Sequence, residues 1–205
     1  SYDTVRQNFA NGFSFYRRRE LTAKSALGQV VEEMREAKMG MATIWNRVNH
    51  GVVNIDVDGQ PDDTNTLLNW LYSIDSLDGT PLRRGLQNIG QYFDAHDSGN
   101  DGQIPGGATP PWASEAEGGG CQRAFVIAMT DGYYNASDST VSPTVGNTDS
   151  DGVDRLGQVS AFDQGVFTGP NSGSSPTLAD IAMYYYENDL HRGLSDVVPA
   201  HNQDT

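Results

Sequence analysis

The sequence predicts an α/β fold built on a mainly parallel sheet and carrying long Gly- and Asp-rich surface insertions. Three observations support it. Apolar residues recur at helical spacing in several separate segments, short apolar runs of strand character lie between those segments, and two polar stretches rich in glycine interrupt the pattern. Helices alternating with short buried strands favour parallel pairing, because the return from one parallel strand to the next needs a crossover element. The 205 residues are read as a single domain, 1–205, with insertions at about 95–120 and 132–175 and no internal repeat.

After an aromatic N-terminal stretch (Phe9, Phe13, Phe15, Tyr16), Ala23, Leu27, Val30 and Met34 define one helical face, and Gly40 closes the segment. Met41 to Trp45 is short and apolar, as a buried strand is, and Val52, Ile55 and Val57 make a second strand ending at Asp58-Gly59. Thr64 to Ile74 places Leu67, Leu71 and Ile74 on one helical face. In TPLRRGLQNIGQYFD, Leu82, Leu86, Ile89 and Phe93 are spaced for a helix, with Thr80 in the N-cap position and Pro81 in the first turn. The apolar run Ala124 to Met129 reads as a buried strand that delivers Asp131, followed by Gly132, at its carboxyl end. Thr177-Leu-Ala-Asp180 has the spacing of a capping box and opens a last helix, TLADIAMYYYENDL, with Leu178, Ile181 and Tyr185 on one face.

Composition excludes several functions. A formal charge of −14 repels phosphate backbones and anionic headgroups and favours cations or basic partners, so nucleic acid is not expected as a ligand. No apolar run approaches the roughly 20 residues of a membrane-spanning helix, and membrane insertion is not expected. A start without methionine suggests processing or a fragment. The lone Cys121 builds no internal disulfide and is expected to be free or to pack. Arg17-Arg18-Arg19 reads as an intramolecular salt-bridging run. Enzyme signatures are missing: the four histidines are scattered, and the chain has neither a G-x-S-x-G elbow nor a phosphate-binding G-x-x-x-x-G-K-[ST] loop.

In a parallel α/β sheet, ligands bind beyond the carboxyl ends of the strands. Asp131 would lie there, and Thr80, with Asp78 two residues before it, leads into a helix, so a hydroxyl and carboxylates converge at one edge. Oxygen donors of this kind suit Mg²⁺, Mn²⁺ or Ca²⁺. The plainer alternatives are that Thr80 is an N-cap and that Asp131 stabilises a turn with Gly132. A second acidic pattern, Asn147, Asp149, Asp151 and Asp154 around Gly152, resembles the first half of a calcium loop; its alternative is a solvated polar loop.

The segments RQNFANGFSFYRRRELTAKSAL (6–27), DGTPLRRGL (78–86), CQRAFVIAMTDGYYN (121–135) and TLADIAMYYYENDL (177–190) together resemble the von Willebrand factor A-like domain of type IV pilus tip-associated biogenesis proteins. The resemblance implies a doubly wound, Rossmann-like α/β domain with a metal-ion-dependent adhesion site, in which Thr80 and Asp131 help to hold a divalent cation. It also implies a non-enzymatic module for surface attachment or pilus assembly, in the periplasm, on the outer surface or at the pilus tip of a bacterium. Pilins, minor pilins or a surface protein are the partners it implies. A structural subunit with a vestigial metal site is the alternative.

The chain departs from that pattern at one place. Such sites take their main ligands from an Asp-x-Ser-x-Ser loop after a first, central strand, and no apolar strand followed by that motif occurs here; Asp138-Ser-Thr-Val-Ser142 lies in the polar insertion. Neighbours of an absent central strand would leave backbone groups unpaired at roughly 1–3 kcal/mol each. The expectation is that another chain or a cleaved segment supplies the strand and its loop.

Overall fold

The computed structural model describes residues 2–16, 18–45, 48–75, 79–94, 111–130, 132, 134, 145, 177–195 and 197. They fall into two compact units, one formed by 1–41 with 50–77 and the other by 42–49 with 78–205.

The first unit contains α1 (Tyr2–Tyr16), α2 (Arg19–Glu33) and α3 (Thr64–Ser73), together with most of the strand pair β1 (Ala37–Ala42) and β2 (Val48–Ile55). The strands pair with each other. Glu36 N–H donates to Asp56 O at 3.1 Å, and Gly40 lies against His50 to Val52, which is antiparallel register. No helix separates them, so this pair is a hairpin; the wider parallel sheet expected from the sequence is not seen among the described residues. The strands also start earlier than expected, at Ala37 and Val48 instead of Met41 and Val52.

Val31, Ile55, Leu67 and Leu68 form the buried core of this unit, lined by Met34, Met39, Met41 and Val53. The sequence placed α2 one position out of register. Its buried residues are Lys24, Gly28 and Val31, while Ala23 and Val30 are exposed. Two features of α3 explain the rotation. Gly28 lets the Tyr72 ring and Leu68 approach the helix closely, and the Lys24 ammonium donates to Ile74 O and, at 3.4 Å, to Tyr72 O. Those carbonyls belong to the last turn of α3, where orphan acceptors and the negative dipole end favour a cation. Glu20 Oε1, 2.8 Å from Lys24 Nζ, neutralises its charge from one turn earlier.

The second unit contains α4 (Leu82–Phe93), two short 3₁₀ turns (Glu115–Glu117 and Gly119–Cys121) and α5 (Leu178–Glu187). Helix α5 opens with the expected capping box: Thr177 Oγ1 accepts from Asp180 N–H at 3.1 Å, and Asp180 accepts from Thr177 N–H at 2.6 Å. Helix α4 packs on α5 with Gly90 against the Tyr185 ring. At Gly85 an added Cβ would stand 2.9 Å from Ile44 Cα, so only glycine admits that backbone. The expected apolar face of α4 is buried at Leu82, but so are Gln87, Asn88 and Gln91 on the other side. Periodicity missed this because α4 is enclosed on more than one side, and Asn88 Oδ1 lies buried without a hydrogen-bond partner among the described residues.

Residues 122–130 correct the expectation of a buried strand. They have no regular secondary structure, and Phe125 and Ile127 are 79% and 86% exposed. A strand needs a neighbour for its ladder, and among the described residues the only two strands pair with each other. Cys121, just before this segment, is a free, exposed thiol.

Candidate functional site at the start of helix α4

The amino end of α4 carries the candidate site. Its first helical residue is Leu82, and Pro81 occupies the N-cap position without a side-chain cap bond. Thr80 therefore does not cap the helix. Its carbonyl accepts from Leu82 N–H at 2.9 Å, and Gly85 N–H bonds Pro81 O at 2.9 Å, which leaves the Thr80 hydroxyl, half-buried, outside the helical ladder. The positive end of the helix dipole faces the same region.

Two arginines fix this end of the helix. Arg84 Nη2 donates to Trp45 O at 3.0 Å, and its guanidinium lies 5.6 Å from the Trp45 ring centre. Arg83 lies 5.9 Å from the ring centre of Tyr134. The second contact bears on the site, because Arg83 is three residues beyond Thr80 and Tyr134 is three residues beyond Asp131. This cation–π contact joins Arg83 of the first motif to Tyr134 of the second. Between them, Thr130 Oγ1 donates to Gly132 O at 3.3 Å and accepts from Gly132 N–H at 3.4 Å, a tight local turn. Asp78 and Asp131 themselves lie outside the described residues, as do Asn147, Asp149, Asp151 and Asp154 of the acidic loop.

A hard divalent cation fits the described part of the site in donor type, since Thr80 offers a hydroxyl oxygen that no cap bond consumes. It does not fit in donor number: Thr80 is a single ligand, and no group of three His, Cys, Asp or Glu side chains among the described residues is placed to hold a metal. Thr80 is thus the described member of the candidate set, which the remaining oxygen donors must complete.

The other face of this unit is held by interactions the sequence did not announce. Trp112 Nε1 donates to Phe93 O at 2.7 Å and packs edge-on against Phe93 and His191. Ser195 N–H donates to Glu115 Oε2 at 3.0 Å, and Val197 N–H to Gly120 O at 3.2 Å, which ties residues 195–197 to the 3₁₀ turns. Hydrogen bonding from Ser195 holds the Glu115 carboxyl below its ordinary value of 4.5. In the first unit, Asp62 accepts from Thr64 Oγ1 at 2.5 Å, Thr64 N–H at 3.0 Å and Asp56 N–H at 3.2 Å; these bonds, led by the Thr64 hydroxyl, hold it below 3.8. No sequence signal beyond local Asp-x-Thr spacing marks either carboxylate.

In an alignment of 208 positions that covers 93% of its length, the chain is 29% identical to the type IV pilus biogenesis factor PilY1 of Pseudomonas aeruginosa strain PAO1. It is similar to a segment of PilY1. PilY1 of strain PAK is 29% identical over 205 residues, and that of strain UCBPP-PA14 is 24% identical over 200. The similarity covers 15–16% of each PilY1, so the chain spans about one sixth of the length of these relatives. No protein-family profile matches the chain, and no solved structure matches it. The similarity to PilY1 supports the pilus-protein part of the resemblance drawn from the four motifs. No helix among the described residues is long and apolar enough to cross a membrane.

Proposed function

We propose that this chain is a non-enzymatic binding module of a type IV pilus biogenesis factor, acting outside the cytoplasm in pilus assembly or surface attachment. The observation that carries the pilus role is the similarity to PilY1 over 93% of the chain. Binding depends on a divalent cation, Mg²⁺, Mn²⁺ or Ca²⁺, held by Thr80 and Asp131 in a von Willebrand factor A-like, doubly wound domain. The uncapped Thr80 hydroxyl and the Arg83–Tyr134 contact support this pairing. The cation offers a coordination position to a carboxylate of a pilin, minor pilin or surface partner, and oxygen-only donors select hard metals for that purpose.

The remaining ligands, and the strand partner that residues 124–129 lack among the described residues, are supplied by another chain or a cleaved segment. The exposure of Phe125 and Ile127 favours such a missing neighbour. The second reading is a structural subunit with a vestigial metal site, favoured by the single described ligand.

Calorimetric titration of Ca²⁺, Mg²⁺ and Mn²⁺ into the chelator-stripped native assembly distinguishes the two readings. Asp131→Ala is expected to abolish saturable binding, and metal at about a hundred times its dissociation constant to stabilise the wild type by about 2.7 kcal/mol. Binding unchanged by the substitution moves the metal to the Asn147–Asp154 loop, and the structural reading then takes over.

A further inference from the structure

We infer that Arg83 and Tyr134 form a latch, in which the guanidinium on the ring face holds the turn at 130–134 against the head of α4. The helix head is the fixed partner. Pro81 and Leu82 are buried there, and an added Cβ at Gly85 would stand 2.9 Å from Ile44 Cα, so the helix lies directly on that backbone. Arg84 braces the same turn of helix on Trp45, by its 3.0 Å bond to the carbonyl and its 5.6 Å approach to the ring centre. Successive side chains leave a helix about 100° apart, so Arg83 projects away from the Trp45 contact and reaches Tyr134, 5.9 Å from its ring centre.

The turn is the part that needs holding. Residues 122–130 have no regular secondary structure, and every described residue from Arg123 to Gly132 is exposed. Tyr134 is the first described residue after them to be half-buried. The bonds between Thr130 and Gly132 close the turn on itself and reach no helix. Arginine suits the role better than lysine, because a planar guanidinium stacks on an aromatic face. Thr130 and Gly132 flank Asp131 in sequence, so a latched turn limits where that carboxylate is presented, which makes Arg83 and Tyr134 positioning residues of the site. This consequence rests on reading Thr80 and Asp131 as a cation site; the latch itself does not.

Nitrogen-15 relaxation of the metal-free full chain tests the latch. The Gly132 amide is expected to be restrained in the wild type, with an order parameter of about 0.8. Arg83→Gln and Tyr134→Leu are each expected to drop it below about 0.6, and the double variant no further, because both remove one interaction. Arg83→Lys keeps a cation and Tyr134→Phe keeps the ring, so both are expected to stay near wild type. A Gly132 already mobile in the wild type overturns the inference. So does a Tyr134→Leu chain as restrained as wild type, or a double variant whose loss is the sum of the two. Calorimetric titration of the same variants with Ca²⁺, Mg²⁺ and Mn²⁺ reads the consequence: losing the latch is expected to weaken Asp131-dependent binding about fivefold. Asp131-dependent binding that ignores both substitutions overturns the positioning role. A wild type without saturable binding, but with order parameters coupled as expected, supports the latch and overturns the cation reading instead.

Discussion

Lys24 shows how one side chain sets the orientation of a helix. A lysine on the core side of α2 contradicts simple burial rules, yet its stem covers apolar surface while its ammonium satisfies carbonyls at the end of α3 and pairs with Glu20. Lys24→Ala removes the donor and leaves those acceptors in a half-buried position. It should cost about 1–3 kcal/mol, read as a lower denaturant midpoint at unchanged slope. Asp62 and Glu115 act in the opposite charge sense. Both carboxyls are held below their ordinary values of 3.8 and 4.5, so the folded state binds fewer protons than the unfolded chain in that range. Their contribution is fully present above about pH 5 and is lost as pH falls through the lowered folded values. Melting temperature should be flat from about pH 7 to 5 and decline below, and Asp62→Asn should make that decline shallower.

At the scale of elements, local rules and long-range partners part company. Helix α5 begins where the Thr177–Asp180 capping box says it must, because both bonds close within one turn. Helix α3 likewise buries Leu67 and Leu71 as its spacing predicts, with Leu68 added. Segment 122–130 is the contrary case. Its apolar run has strand composition, but strand formation requires a ladder partner, and composition cannot provide one. An uncharged apolar stretch such as AFVIAM left in solvent is also prone to pair with any available edge. Amides 124–129 should therefore exchange with solvent at nearly unprotected rates in this chain alone and become protected once a neighbouring strand binds. Strong protection in the isolated monomer would show that the segment is already paired.

For the molecule as a whole, acidity makes nucleic acid an unexpected ligand, and the sequence carries none of the catalytic motifs sought in it. The four motif segments pointed to a pilus protein, and the similarity to PilY1 agrees. Of the candidate site, Thr80 and its place at the head of α4 were legible in the sequence; the absence of a cap bond and the approach of Tyr134 to Arg83 were not.

The sequence by itself determined where α3 and α5 start, that a helix follows Pro81, the capping box and the similarity to PilY1, since helical spacing and caps are interactions among residues three or four apart and similarity is a property of residue order. Only the tertiary structure decided that α2 turns Lys24, Gly28 and Val31 inward, that α4 buries Gln87, Asn88 and Gln91, and that residues 122–130 join no strand pairing among the described residues. The first two depend on surfaces brought up from far along the chain, the end of α3 for Lys24 and the Ile44 backbone and α5 for α4, and the third on the lack of an available strand edge among the described residues. A pattern read along one segment carries no information about those surfaces.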